Sequence, residues 1–232
     1  MGSTERRARQ KDATREKILA AARDLFVREG FEAVSMRRIA EAIEYTAAAI
    51  YTHFKDKTEL LMALADADFG LLRESMRDAD SIADPVERLR AGGRAYIRFA
   101  LSHPHHYRLM FMTTWPHIQP AACGIEHGNA DEDAFCCLHE TVARCIGEGR
   151  FRPEYSDPQK VTQLCWAAVH GVVSLFITHG EDPWVQFRAP RETAEMLLNA
   201  SLDGMLMPAQ ARARTARPKA RALARTTKGA RR

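Results

Sequence analysis

Three helix-capping side chains, Ser35, Thr46 and Asp56, stand close together between two longer stretches of helical periodicity. A capping side chain accepts a hydrogen bond from the first turn of a helix, so each marks a helix start. Starts this close leave room for only two short helices between the long ones. The first helix is expected from about Asp12 to Glu29, with Ile18, Leu19, Ala22, Leu25 and Phe26 on one face and Gly30 as its stop. The short helices add Met36, Ile39, Ala40 and Ile43, then Ile50 and Phe54, to the same core. The run Asp56-Lys57-Thr58-Glu59 is a capping box opening a helix toward Met76.

The rest of the chain keeps the helical rhythm. Asp84-Pro85 opens a helix to about Ser102, Pro104 a short one, and another spans roughly Ala130 to Glu148 before Gly149. Asp157-Pro158 opens a helix ended by Gly180, and Pro190 opens the last, ended before Pro208. No alternating run of useful length reads as a strand, so the fold class is all-α.

The short helices, joined by a tight turn at Glu44-Tyr45, have the spacing of a helix-turn-helix, which presents its second helix to a major groove. Residues 14–64 resemble the DNA-binding domain of the TetR family, in TREKILAAARDLFVREGFEAVSMRRIAEAI followed by AIYTHFKDKTELLMAL. Phe26, Gly30, Ile39, Ala40, Ile50, Tyr51, Phe54, Lys57 and Leu60 fall where the family pattern expects them. The resemblance implies an N-terminal three-helix helix-turn-helix DNA-binding domain plus a C-terminal helical ligand-binding and dimerisation domain. It further implies a repressor that binds a palindromic operator as a homodimer and is released by a small apolar or amphipathic effector.

Roles follow from side-chain chemistry. Lys57, with His53 or Tyr51, is expected on phosphate, and Thr46 both caps its helix and reaches a phosphate. Arg37 and Arg38 are placed on phosphate or a guanine edge. The exposed face Ala47-Ala48-Ala49 lacks hydrogen-bonding groups, so base reading there leans on thymine methyls or DNA shape. Where the family commonly has Gly, the turn holds Glu44, which points to an altered turn.

The helix from Asp157 is apolar nearly all round, and a helix buried on two sides needs two partners. A symmetric interface is expected from Val161, Leu164, Ala168, Val172, Leu175 and Phe176 together with Leu198, Leu202 and Met205. Trp166, His170 and Gly171, with His103-Pro104 and Tyr107 to Phe111, resemble the WHG subtype of carboxy-terminal domain. An effector pocket is expected among Phe69, Leu72, Met76, Tyr96, Phe99, Met110, Phe111, Trp115 and Trp166.

The expected organisation is a basic arm at 1–11, the DNA-binding domain at 12–55, the effector and dimer domain at 56–207, and a basic disordered tail at 208–232. The net charge of +4 is uneven: the tail carries Arg212, Arg214, Arg217, Lys219, Arg221, Arg225, Lys228, Arg231 and Arg232 with no acid. Basic ends on a more acidic body suit a polyanion partner. No apolar run is read as long enough for a bilayer span and no export signal is seen, so a cytoplasmic protein without a membrane partner is expected. The five cysteines, irregularly spaced, form no disulfide framework. His103, His105, His106, His117, His127 and His139 with Cys123, Cys136 and Cys137 raise a metal sensor as the alternative, but no CxxC spacing supports it, and no metal or cofactor is expected. No nucleophile elbow or phosphate-binding loop supports an all-helical enzyme.

Overall fold

The computed structural model describes residues 2–113, 124, 126 and 128–208, and these are mostly helical. Helix α1 covers Ser3–Glu29, α2 Met36–Ala42, α3 Ala47–Tyr51, α4 Lys57–Met76 and α5 Pro85–Ser102. Helix α6 covers Pro104–Met112, α7 Ala134–Gly147, α8 Pro158–His179 and α9 Pro190–Met205. A 3₁₀ turn, Arg77–Ser81, follows α4, and one isolated bridge pairs Phe151 with Leu206.

The caps act as their chemistry requires. Ser35 Oγ accepts from Arg38 N–H at 3.1 Å, Thr46 Oγ1 from Ala49 N–H at 3.2 Å and Asp56 Oδ1 from Glu59 N–H at 2.8 Å. Glu59 in turn accepts from the backbone N–H of Lys55 at 2.8 Å, so two orphan donors at the start of α4 are satisfied. Asp84, Asp133 and Asp157 cap α5, α7 and α8 in the same way.

Several expectations are corrected. Residues 3–11 are not an arm but the first turns of α1, which begins nine residues before Asp12. Helix α3 ends at Tyr51 and α7 starts at Ala134, each shorter than expected. The turn at Glu44 is not remodelled. Glu44 takes φ 60°, with Glu44 N–H on Glu41 O and Tyr45 N–H on Ala40 O. That bond pair is a Schellman motif, whose left-handed position favours glycine.

Two hydrophobic cores form. The first gathers Ile18, Leu25, Phe26, Ile39, Ile50 and Phe54 from α1 to α3 and the following loop, closed by Leu60, Leu61 and Leu64 of α4 and Leu109 of α6. The second holds Leu72, Tyr96, Tyr107, Val169, Val173, Leu198 and Leu202. Helices α4 and α6 therefore feed both cores, and a cut at residue 55 would divide the first.

Helix α8 also departs from expectation. It is long and apolar enough to span a bilayer, and only 28% of its most apolar stretch is buried within the chain. Its covered side packs on α7, α9 and α5. The rest is an uncovered apolar face.

Candidate DNA-binding face and effector cavity

Helix α3 rests on the first core through Ile50, which is fully buried, and turns Ala48 and Tyr51 outward. Thr46 is exposed at its start, while Ala47 and Ala49 are half-buried. Tyr51 is 54% exposed, so its ring stands clear of the core. Arg37 and Arg38 lie on the outer side of α2, paired with Glu41 at 3.0 Å and Glu29 at 3.3 Å. Such surface pairs are weak and exchange readily for a phosphate.

Two of the cationic assignments change. The Lys57 ammonium faces inward over the Phe31 ring and donates to the carbonyls of Phe31 (2.7 Å), Val34 (3.0 Å) and Glu32 (3.4 Å). An ammonium has three protons, and all three are spent on the loop between α1 and α2. In this arrangement Lys57 clasps the loop between α1 and α2. His53 turns Nδ1 into the protein, where it is buried without a hydrogen-bond partner. Burial lowers its pKa, and Lys11 and Arg15 lower it further, so the ring is neutral.

Lys11 and Arg15 belong to the basic N-terminal stretch of the sequence but were not placed beside α3. Arg15 stacks over the Phe54 ring at 4.9 Å, which brings the amino-terminal half of α1 beside the end of α3. Arg7, Lys11 and Arg15 recur every fourth residue and share one side of α1. That spacing was the available signal.

The second site is a cavity of about 780 Å³ among α4, α5, α7 and α8, within the size range of small-molecule sites. Of the expected walls, Phe69, Leu72, Met76, Tyr96, Met110, Phe111 and Trp166 line it. Phe99 does not; it is buried and packs against the His103 ring instead. Trp115 lies outside the described residues. Leu198 and Leu202 of α9 also line the cavity, although they were expected at a dimer interface.

One wall carries a closed polar chain. Tyr107 Oη lies 2.6 Å from His170 Nδ1 and 2.9 Å from Tyr96 Oη, and Trp166 Nε1 donates to Tyr96 Oη at 3.1 Å. An indole can only donate, so Tyr96 accepts from Trp166, and the two tyrosine hydroxyls, which also bond each other, both lie within reach of His170 Nδ1, Tyr96 at 3.3 Å. Burial pushes the Tyr96 hydroxyl to about 12, raises Tyr107 as well and lowers His170. Every member is neutral and satisfied.

The interface set divides. Val161, Phe176, Leu198, Leu202 and Met205 are buried in the chain's own core and are removed from a subunit interface. Leu164 and Leu175 are exposed, and Ala168 and Val172 are half-buried. On α9 the exposed apolar residues are Met196 and Leu197, not Leu198. A one-residue step turns a helix face by about 100°, and adjacent leucines hide which one looks inward.

Among the described residues no group of three His, Cys, Asp or Glu side chains converges as a metal site. His117, Cys123 and His127 lie outside the described residues. Burial raises all four described thiols, with Cys145 and Cys165 pushed up to about 12. A reactive thiolate needs the opposite environment.

A family model described as bacterial regulatory proteins, tetR family, matches residues 18–64, and one described as tetracyclin repressor-like, C-terminal domain, matches residues 89–201. The chain belongs to the TetR family. The carboxy-terminal description does not carry the narrower WHG subtype. The HTH-type transcriptional activator FasR of Mycolicibacterium smegmatis is 32% identical over 102 residues, 44% of this chain and 47% of the activator, so the match spans about half of that relative. Among solved structures, a TetR family transcription regulator from Marinobacter aquaeolei VT8 aligns with a TM-score of 0.68 at 20% identity over 87% of this chain and 100% of that one. The fatty acid degradation regulator FadR from Bacillus halodurans aligns with a TM-score of 0.64 at 15% identity over 82% and 95%. At these identities the structures establish the fold alone. The TetR-family chain is a DNA-binding transcription regulator and not an enzyme.

Proposed function

We propose that this TetR-family chain is a ligand-responsive repressor, acting in the cytoplasm as a homodimer on a palindromic operator. The observation that carries the reading is the double attachment of α6. Its Met110 and Phe111 line the cavity, while Leu109 belongs to the core of the DNA-binding bundle. The same helix is tied to α1, where His105 Nδ1 lies 2.8 Å from Asp24 Oδ1, and to α4, where His106 Nδ1 lies 3.0 Å from Asp68 Oδ1. Buried Asp68 also accepts from Arg23 at 2.6 and 3.0 Å. A ligand that displaces Phe111 shifts α6, and α6 pulls α1 with it. The coupling is the difference in ligand affinity between the two arrangements.

Dimerisation falls to the uncovered side of α8 and α9. Leu164, Ala168, Gly171 and Leu175 follow helical spacing along α8, with Met196 and Leu197 beside them on α9. A Cβ on Gly171 would meet nothing within 4 Å in the chain, so this small residue is open for close approach by a second copy. In the dimer two α3 helices about 34 Å apart enter successive major grooves. Thr46, Ala47, Ala48, Ala49 and Tyr51 face the groove; Arg37, Arg38, Arg15 and Lys11 take phosphates. The WHG subtype, built on Trp166, His170 and Gly171, belongs to this same reading.

The test is selection of bound fragments from random duplex DNA by the full chain, followed by sedimentation of the complex. A palindromic site occupied by two chains is the expected result. A monomer on DNA, or no preference over bulk competitor, overturns the proposal.

A further inference from the structure

The cavity contains a polar feature that the closed Tyr96–Tyr107–His170 chain does not explain. Asp80 accepts from Arg73 Nη2 at 2.7 Å through one oxygen and from Arg88 Nη2 at 2.7 Å through the other. Two guanidinium groups thus share one carboxylate, and the cluster carries one positive charge in excess. Arg73 is almost wholly buried, its side chain 3% exposed, and its Nε is used on the Ala130 carbonyl at 2.8 Å. Among the described residues two donors are left over: Arg73 Nη1 and Arg88 Nε are buried without a hydrogen-bond partner, with the Cys137 thiol beside Arg88. Buried donors in native proteins are nearly always paired, and charged ones carry the largest penalty when they are not.

Arg88 and Asp80 form part of the cavity wall. The acids elsewhere on that wall have partners: Asp66 accepts from Gly124 N–H, Glu132 from Glu126 N–H, and Asp133 caps α7. Those three carboxylates each hold a backbone donor, whereas Arg88, the arginine of the described wall, keeps a buried N–H without a hydrogen-bond partner. Along α4 the wall runs from Met62 to Met76, about 21 Å at 1.5 Å per residue. The arginine cluster adjoins the Met76 end, and Phe111 and Met110 of α6 lie on the apolar remainder.

We infer that the effector is an amphipathic anion, a carboxylate on a long apolar tail, with its head on Arg88, which Asp80 links to the buried Arg73 behind it, and its tail directed along α4 toward α6. This rests on the reading of the cavity as the effector site and adds the chemistry of the ligand. The head offsets the single positive charge of the Arg73–Asp80–Arg88 cluster and offers acceptor oxygens to Arg88. The tail reaches the helix that couples to DNA, so each added methylene gains about fourfold in affinity while it remains in the cavity.

The experiment titrates the full-length protein by calorimetry with three probes sharing one tail: dodecanoate, dodecan-1-ol and dodecylamine. Dodecanoate should bind about ten- to hundredfold more tightly than the alcohol, the range for charge-assisted hydrogen bonds. Arg88→Met should remove that advantage and leave alcohol binding unchanged, while Arg88→Lys should restore part of it. The comparison among probes on unaltered protein stands even if a variant melts early. Equal binding of acid and alcohol, or strongest binding of the amine, overturns the inference and leaves the cavity as an apolar effector site. Failure of all three to bind a folded protein counts against the effector site itself, and the inference falls with it.

Discussion

The two cores of this chain are built to different ends. In the DNA-binding bundle every large apolar side chain facing inward meets another, and Ile18, Phe26, Ile39, Ile50 and Phe54 are essentially inaccessible. In the larger domain a comparable set of aromatic groups, Phe69, Phe111 and Trp166, borders empty space and stays only partly buried. The first holds one small helix, α3, in a fixed orientation on the bundle. The second leaves stabilisation unused until something fills it. A ligand can redirect the chain only where packing is incomplete, because a close-packed core has no second arrangement of similar energy.

The same substitution made in each region tests that contrast most strongly. Phe54→Ala empties a closed core and should cost about 3–5 kcal/mol of unfolding free energy, since the surroundings cannot collapse onto the gap. Phe111→Ala enlarges a void that already exists, and with the ring half-buried it should cost only about 1–2 kcal/mol. Urea denaturation of both variants measures the pair. Equal losses would mean that the cavity wall is as tightly determined as the bundle.

A smaller effect separates the regions by pH. His170 is lowered by burial and is neutral in the closed chain. Protonating Nδ1 turns an acceptor into a donor and takes away the acceptor that both the Tyr96 and Tyr107 hydroxyls face. Because the folded pKa lies below the unfolded value, the stability is fully present above about pH 6.5 and is lost as the pH falls. His53 in the bundle is lowered as well and acts with the same sign. One full proton corresponds to a slope of about 1.4 kcal/mol per pH unit, an upper limit for either group. Melting temperature followed from pH 8 to 5 should fall, and His170→Phe should flatten the curve while His53→Phe flattens it independently. An unchanged slope in His170→Phe would remove the histidine from the network.

What was legible in the sequence divides along the same line. The bundle is written in local signals: a cap at Ser35, another at Thr46, a capping box at Asp56 and a left-handed stop at Gly30 all lie within a turn of the backbone groups they satisfy. The larger domain depends on which side of an apolar helix looks inward, and α8 is apolar on nearly every side. Periodicity therefore placed Val161 and Phe176 at the wrong surface, and Leu198 in place of Leu197. The Arg73–Asp80–Arg88 cluster draws on α4, the following 3₁₀ turn and α5, and no spacing announces it. The Lys57 contacts were hidden for a related reason: its position at a helix start favours an anion, and nothing local announces the three carbonyls of the preceding loop that its ammonium meets.

The smallest effect lies at the turn between α2 and α3, where the bundle departs from ideal economy. Glu44 holds φ at 60°, a conformation that costs an L-residue roughly 1–2 kcal/mol and glycine almost nothing. Glycine also loses more freedom on folding, by about 0.5–1 kcal/mol, which offsets much of the gain. Glu44→Gly should therefore stabilise the chain by less than about 1 kcal/mol, read as a small rise in urea midpoint with the slope unchanged. It also removes a negative charge beside the face assigned to DNA, so non-specific affinity for duplex should rise and the rise should shrink as salt is added. A loss of stability would show that the Glu44 side chain makes a contribution larger than its backbone strain, and the bundle would then depend on a contact beyond its caps and core.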